Sequence, residues 1–204
     1  AEPTLRDDLP EIITMVKKLG HRPSLTTNGV KLAQLDYTQE LKDAGLRLML
    51  HSMNGADDDD VYKILDNGKW ATLKVRALSN IFKCRLPINT GTIIAKGVNK
   101  QTIKRQVEVF SKTAKDNGIN FNTTPPYNRI TPVLRMKGVG LVGRNMGKDK
   151  CYSILELAEL CEQQLGIKAD FILNQKASSG VVKAGNYGDQ LTSVLFPLDT
   201  NAGK

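Results

Sequence analysis

The feature that most constrains the fold of this chain is a repeated order of short apolar strands, polar loops and amphipathic helices. This unit occurs about four times before residue 126. Strands that alternate with helices are typical of an α/β fold with a parallel sheet. The sequence predicts strands over residues 22–27, 46–51, 88–94 and 119–123, and helices over residues 7–19, 36–44, 70–82 and 100–117, with one more beginning at residues 57–60.

Several of the predicted helices have clear signals at their ends. Gly20 and Gly45 each follow a helical pattern, and glycine is the preferred residue just past the end of a helix. Ser153 and Glu156 have the spacing of a capping box, which predicts a helix that runs to residue 165 and ends at Gly166.

The pattern changes after residue 126, because Pro125 and Pro126 interrupt the strand before them. Residues 127–150 are rich in glycine and basic residues and show no clear period, so the sequence predicts a long loop. Residues 174–204 are rich in Ser, Gly and Asn, and they contain one apolar run at 194–196 without an evident final element. The sequence therefore divides into a regular part, residues 1–126, and an irregular part, residues 127–204.

The net charge of +8 permits a nucleic-acid partner or an anionic substrate. The basic residues are spread over several predicted elements, however, and do not form one cluster. A solvated basic surface is therefore the preferred interpretation. No apolar run approaches the roughly 20 residues that span a bilayer, and no secretory signal is present at the start. We expect a cytoplasmic protein without membrane contact.

The three cysteines, Cys84, Cys151 and Cys161, indicate neither a disulfide framework nor a metal site. No two of them have CxxC or CxxxC spacing, and His21 and His51 have no partner at the spacing of metal ligands. The sequence predicts no metal ligand and places Cys84 and Cys161 in the core.

Glycine, proline and short polar residues follow successive predicted strands. In a parallel α/β fold, ligands bind in the loops at the carboxyl ends of the strands. One such segment alone is an ordinary turn, but four at successive strand ends favour a ligand site. The four segments are Ala1–Leu5, Thr26–Gly29, His51–Gly55 and Ile94–Asn99.

Other residues with chemical potential have simpler interpretations. We expect Lys96 and Lys104 to be solvated, because the sequence places no acid or base beside either one. Tyr62 and Trp70 have the spacing of buried helical residues, although stacking on a base remains open. The run of acids over residues 57–60 falls at a helix start, where acids usually face water.

The segment that begins with Glu2 and Pro3 resembles the second strand–helix unit of radical S-adenosylmethionine (radical SAM) enzymes. Their second strand ends in Gly-Gly-Glu-Pro, and here the glycine before Glu2 is replaced by Ala1. The following segments are similar to the ends of the family's next strands, in order and spacing: Thr27–Gly29, Ser52–Asn54 and Gly97–Asn99. The resemblance covers roughly residues 1–125.

The resemblance implies a partial TIM-type (β/α)6 barrel that is incomplete at the N-terminus. Residues 1–126 would be its core, and residues 127–204 the remaining barrel or an extension on the substrate side. It further implies S-adenosylmethionine and a [4Fe-4S] cluster as cofactors. Such enzymes reductively cleave S-adenosylmethionine to a 5′-deoxyadenosyl radical, which abstracts hydrogen from a substrate, unknown here. The electron comes from a donor such as flavodoxin or ferredoxin.

The same resemblance assigns the cofactor-binding residues, while it leaves catalytic residues unassigned. Glu2 and Pro3 belong to the motif that receives the amino group of S-adenosylmethionine. In this family, polar residues after the fourth strand contact the ribose, and Ser52 and Asn54 stand at that place here. Asn28 shapes the pocket between these groups, and the loop that lines the adenine contains Gly97 and Val98.

The family's CxxxCxxC cluster loop precedes the Glu-Pro motif, and no cysteine spacing in this chain replaces it. We therefore expect a fragment whose cluster ligands lie upstream, which is inactive alone and associates through an unpaired sheet edge. Two alternatives stay open. One is a cluster-free degenerate barrel that acts as a binding module, and the other is a basic α/β domain that binds nucleic acid.

Overall fold

The computed structural model describes residues 2–130, 132–139, 151–166, 168–169 and 194–197. Its centre is a sheet of five strands in the order β1-β2-β3-β4-β5. The first four strands are parallel, and the last pairs antiparallel with β4. The strands are β1 (Ser24–Thr27), β2 (Leu48–Ser52), β3 (Ile88–Ile94), β4 (Val133–Gly138) and β5 (Val194–Pro197).

Helices connect the parallel strands, as the alternating pattern predicts. A short 3-10 turn, Pro3–Leu5, precedes the first helix, and another, Val30–Ala33, follows β1. The helices are α1 (Leu9–Lys18), α2 (Leu35–Ala44), α3 (Asp59–Asp66), α4 (Ala71–Lys83), α5 (Thr102–Asp116) and α6 (Ile154–Leu165). None of these helices is long and apolar enough to cross a membrane.

The sheet has one packed face, because side chains alternate between the two faces of a strand. Leu25, Met49 and Ile88 lie at one level of β1, β2 and β3, and Leu134 of β4 lies at the level of Thr90, two residues further along β3 on the same face. All four apolar side chains are buried in one hydrophobic core with residues of the helices. The α/β class with a parallel sheet is therefore confirmed.

The signals at the helix ends are also confirmed. Ser153 and Glu156 form the reciprocal hydrogen bonds of a capping box at the start of α6. Gly45 and Gly166 adopt the left-handed conformation at the ends of α2 and α6. Cys84 and Cys161 are buried, as predicted.

The predicted strand over residues 119–123 is wrong, because these residues form turns after α5. Phe121 packs in an aromatic cluster with Phe82, Phe110 and Tyr127. Apolar residues in this turn therefore serve packing, although their pattern is that of a strand.

The loop predicted over residues 127–150 is wrong over residues 133–138, which form β4. Leu134 and Met136 are fully buried in the core, so the strand has a regular alternation that the surrounding glycines obscure. The remaining part of the predicted loop, residues 140–150, lies outside the described residues. The apolar run at residues 194–196 belongs to β5, a final strand that the sequence reading missed.

Candidate functional site

A cavity of about 800 Å³ opens at the carboxyl ends of β1 and β2. Its volume lies in the range of small-molecule sites. Its wall combines charged, polar and apolar side chains from the segment before α1, the turn after β1 and helices α3 and α4. The lining residues are Glu2, Thr4, Leu5, Asn28, Val30, Lys31, Ala33, Gln34, Ser52, Asp66, Trp70, Leu73, Lys74 and Arg76.

The carboxylate of Glu2 ties two of these segments together. Its Oε1 accepts hydrogen bonds from the Thr27 hydroxyl at 2.6 Å, the Thr4 hydroxyl at 2.7 Å and the Thr4 amide at 3.1 Å. Its Oε2 accepts one from the Asn28 amide at 2.7 Å. The segment before α1 is therefore fixed to the end of β1 through one side chain.

These hydrogen bonds keep Glu2 ionised. Burial alone would raise the pKa of Glu2, but the hydrogen bonds from Thr27, Asn28 and Thr4 outweigh it and hold that pKa below its ordinary value. A carboxylate oxygen accepts about two hydrogen bonds, and Oε2 receives a single one from the described residues. This oxygen can therefore accept a further donor from a ligand in the cavity.

The turn after β1 is built by its own side chains. The Thr27 hydroxyl accepts a hydrogen bond from the Gly29 amide at 3.0 Å, and the Asn28 side-chain oxygen accepts one from the Val30 amide at 2.9 Å. Gly29 has a φ of 79°, which favours glycine. A Cβ atom on Gly29 would also lie 2.0 Å from Cε1 of His51. The glycine therefore serves both the turn and the close approach of the imidazole.

His51 is a buried structural residue. Its Nε2 lies 3.1 Å from the carbonyl oxygen of Lys74, so Nε2 carries the proton and donates it. Its Nδ1 has no hydrogen-bond partner among the described residues. Burial, with the positive charge of Lys74, lowers the pKa of His51 to about 3. The imidazole is therefore neutral at physiological pH.

Lys74 is a buried lysine at the wall of the cavity, with 2% of its side chain exposed. Its Nζ donates a hydrogen bond to the Ser52 carbonyl at 2.9 Å and lies 3.5 Å from Oδ2 of Asp66. It also lies 5.0 Å from the centre of the Tyr62 ring. Burial lowers the pKa of Lys74, although Asp66 opposes this shift. The ammonium group holds the end of β2 against α3 and α4.

Asp66 continues this network to Asn54. Its Oδ1 accepts a hydrogen bond from the Asn54 amide group at 2.8 Å. The side-chain oxygen of Asn54 accepts one from the Ile93 amide at 3.0 Å, and the side chain of Asn99 donates one to the Asn54 carbonyl at 2.9 Å. Asn54 is buried, and it connects the ends of β2 and β3.

The structure brings three of the residues suggested by the sequence to one cavity: Glu2, Asn28 and Ser52. Pro3 starts the 3-10 turn that follows Glu2. The other three suggested residues lie outside the lining of this cavity: Asn54, Gly97 and Val98. The roles of all seven toward a cofactor remain predictions.

The sequence analysis named His51 within the segment His51–Gly55, but it missed Lys74 and Asp66. A signal for Lys74 was present, since positions 71, 74, 77, 78 and 81 form the buried stripe of α4 and a lysine interrupts it. Asp66 had no such signal, because nothing in its neighbours distinguishes it from an ordinary helix-end residue.

One of two expectations about charged residues is wrong. Lys96 has an acid beside it, because its Nζ lies 2.6 Å from Oε1 of Glu156 and 5.1 Å from the centre of the Tyr152 ring. The other expectation, that the acids at residues 57–60 face water, is confirmed for all but the half-buried Asp59. These acids also have protein partners: Asp57 pairs with Arg105, Asp58 caps α3, Asp59 accepts a hydrogen bond from the Ala71 amide and Asp60 pairs with Lys63.

The described residues contain no group of three or more His, Cys, Asp or Glu side chains that could hold a metal ion. Burial raises the pKa of the Cys161 thiol to about 12, and its Sγ lies 3.5 Å from Sδ of Met136 in the core. Burial also raises the pKa of Cys84. Both thiols are therefore protonated core groups.

Comparison with known proteins gives one family. The model of the Radical SAM superfamily matches residues 1–109, which is more than half of the 204 residues. A probable GTP 3′,8-cyclase of Sulfolobus acidocaldarius is 32% identical over 165 residues, which cover 78% of this chain and 44% of the relative. The 7,8-dihydro-6-hydroxymethylpterin dimethyltransferase of Methanocaldococcus jannaschii is 26% identical over 140 residues, which cover 67% of this chain and 28% of the relative.

This chain thus spans less than half the length of these curated relatives. Among solved structures, TYW1 with a lysine-pyruvate adduct bound matches with a TM-score of 0.63 and 16% identity, over 98% of this chain and 54% of that chain. At this identity the likeness shows the fold alone. It confirms the partial TIM-type barrel that the sequence predicts.

Proposed function

Because this chain belongs to the radical SAM superfamily, we propose that it forms the S-adenosylmethionine-binding part of a radical SAM enzyme. When bound, the cofactor supplies a 5′-deoxyadenosyl radical for hydrogen abstraction. The residues of this chain bind and orient it at the cavity between the ends of β1 and β2. The observation that carries the proposal is the ionised Glu2 carboxylate, which keeps a free acceptor site at that cavity.

The donor and acceptor chemistry of the cavity fits the cofactor. S-adenosylmethionine presents an ammonium group, and Oε2 of Glu2 is an acceptor with a negative charge. The cofactor also presents ribose hydroxyls, and the Ser52 hydroxyl lines the cavity without a hydrogen bond to any described residue. Trp70 and Leu73 add apolar wall that an uncharged part of the ligand can contact.

The described residues do not fit a [4Fe-4S] cluster. Such a cluster needs several cysteine thiolates, whereas Cys84 and Cys161 are buried and protonated. We therefore propose that the cluster ligands lie outside this chain, and we assign no cluster ligand to it.

The substrate is proposed from the relatives. The two curated relatives are named for reactions on GTP and on a hydroxymethylpterin. We propose that the complete enzyme acts on a small nitrogen heterocycle of this kind, with hydrogen abstraction as the first step. Flavodoxin or ferredoxin remains the proposed class of electron donor.

The proposal is tested by calorimetric titration of the chain with S-adenosylmethionine. We expect binding by the wild type, and a loss of about tenfold or more in affinity for Glu2→Gln, because a charged acceptor is removed. Glu11→Gln is the matched control, since Glu11 is exposed in the first turn of α1 and lies outside the cavity.

A second variant separates binding from folding. Ser52→Ala removes a hydroxyl that makes no hydrogen bond to any described residue. The variant should therefore weaken S-adenosylmethionine binding while the melting temperature stays unchanged. Ser24→Ala, at the exposed start of β1, should change neither quantity. A folded chain that does not bind S-adenosylmethionine at millimolar concentration would overturn the proposal.

A further inference from the structure

The face of the sheet opposite the packed core carries a second set of side chains. Because parallel strands in register place paired residues on the same face, these residues form rows across the sheet. One row contains Ser52, Gly91 and Arg135, and the next level contains Ile93 and Lys137. All five are incompletely buried, whereas strand neighbours on the other face, such as Met53, Thr92 and Met136, are buried.

Gly91 has no side chain in the middle of its row, although there is room for a Cβ atom at this position. A Cβ atom at this position would lie 3.6 Å from the nearest atom, Cδ1 of Leu50, which is an ordinary contact distance. Its φ is outside the left-handed region. Neither packing nor backbone conformation therefore requires glycine here, and the missing side chain leaves a gap between Ser52 and Arg135, which lie about 10 Å apart at two strand spacings.

Arg135 and Lys137 border this gap as two cations two residues apart on β4, on the same face. No described carboxylate lies within ion-pair distance of either side chain. The Nε of Arg135 is buried and has no hydrogen-bond partner among the described residues. A buried donor without a partner is costly.

The two cations also repel each other. Burial first, and then the charge of Arg135, lowers the pKa of Lys137. An anion between them would pair the unsatisfied donor, offset the repulsion and favour the protonated form of Lys137. Arginine adds a planar set of donors that matches carboxylate and phosphate groups.

We propose that Arg135 and Lys137 bind an anionic group of the substrate, a carboxylate or a phosphate, beside Gly91. The inference rests on the proposed function, because it takes the bound molecule to be the substrate of that enzyme. Ser52 belongs both to this row and to the wall of the cavity at the ends of β1 and β2. The anion site therefore adjoins the proposed cofactor site across a single strand, β3.

The test is a nuclear magnetic resonance titration of the chain with inorganic phosphate and, separately, with succinate. The observed signals are the Gly91 amide and the Nε–H of Arg135. We expect saturable shifts of both signals with at least one anion, and the tighter anion identifies the chemical source. Arg135→Gln and Lys137→Gln should each weaken binding by about tenfold or more at the Gly91 signal.

The control is Lys104→Gln, which removes the same charge from an exposed position of α5. It should change the affinity less than twofold. Gly91→Val should abolish the shift of Arg135 while keeping the melting temperature, because valine is favoured in strands. The absence of saturable shifts with both anions would overturn the proposal, as would an equal loss for Lys104→Gln and Arg135→Gln.

Binding of S-adenosylmethionine by the same variants distinguishes this inference from the proposed function. If Arg135→Gln loses the anion but keeps S-adenosylmethionine, the two sites are separate, as proposed. If the wild type binds the anion but not S-adenosylmethionine, the proposed cofactor site fails and the anion site stands. The reverse result removes the anion site alone.

Discussion

The imidazole ring of His51 lies against Gly29 so closely that a Cβ atom on residue 29 would fall 2.0 Å from Cε1 and 2.2 Å from Nδ1 of the ring. This geometry needs no bound ligand to persist, because the ring is also held by the carbonyl of Lys74. The turn after β1 is therefore packed directly on the carboxyl-terminal part of the neighbouring strand, β2.

We expect Gly29→Ala to destabilise the chain more than Gly20→Ala. Both glycines have a φ close to 80°, so each alanine costs about 1–2 kcal/mol of left-handed strain. Gly20 has no atom within 4 Å of its added Cβ, whereas Gly29 meets the ring. The clash should add about 1–3 kcal/mol. Urea unfolding of both variants measures the difference, and equal losses would contradict the contact.

The burial of His51 predicts a loss of stability in mild acid. Its pKa is about 3 in the folded chain and about 6.5 when unfolded. As the pH falls, the imidazole of the unfolded chain therefore binds a proton before that of the folded chain. The stabilisation that neutral His51 gives to the folded chain is complete above about pH 6.5 and is lost as the pH falls toward about 3. Between pH 7.5 and pH 5 the unfolding free energy should fall by about 2 kcal/mol.

Urea unfolding at the two pH values measures this change. His51→Gln, which has no titrating ring, is the matched variant and should have a smaller dependence on pH over this window. An equal dependence in wild type and variant would assign the effect to other groups.

The Thr27 hydroxyl should contribute more to the unfolding free energy than the hydroxyl of Thr26. It donates to Glu2 and accepts from the Gly29 amide, so Thr27→Val removes one of the three hydrogen bonds to Oε1 of Glu2 and leaves the Gly29 amide without its partner. We expect a loss of about 1–3 kcal/mol in unfolding free energy and weaker binding of S-adenosylmethionine. Thr26→Val, on the exposed face of the same strand, should change both quantities little.

Lys74 should support the stability of the chain as well as the site. Removing one partner of a buried ion pair leaves the other charge uncompensated, and here Asp66 and the Ser52 carbonyl would both lose the Lys74 ammonium. We expect Lys74→Met to lower the unfolding free energy by about 1–3 kcal/mol. It should also weaken S-adenosylmethionine binding, because the Ser52 carbonyl loses its donor.

Lys69→Met is the control for Lys74→Met, since Lys69 is exposed and precedes α4. It should change neither stability nor binding. Calorimetric unfolding and ligand titration of both variants test the prediction, and a Lys74→Met chain as stable as the wild type would refute it.

The local sequence correctly predicted those helices and strands whose ends carry capping or turn residues. The strand over residues 88–94 is predicted with its observed ends, and the capping box of Ser153 and Glu156 correctly starts α6. Parallel connectivity then brings Glu2, Asn28 and Ser52 to one edge of the sheet, because the carboxyl ends of parallel strands share it.

The local sequence did not reveal which side chains are buried by contacts with distant parts of the chain. Phe121 has the surroundings of a strand residue but packs among other aromatic rings in a turn. The alternation of Leu134 with Arg135 marks a strand, yet the nearby glycines favoured a loop. The contacts of Lys74 join residues far apart in the chain, so no local window contains them.

The two faces of the sheet have different tolerances to mutation. Substitutions at core positions such as Met49 or Leu134 change the stability of the whole domain, because these side chains are fully buried. Substitutions at Gly91, Arg135 or Lys137 fall on the face away from that core. A descendant of this chain can therefore acquire a new ligand preference by changing alternate residues of the same strands while its scaffold keeps its thermodynamic margin.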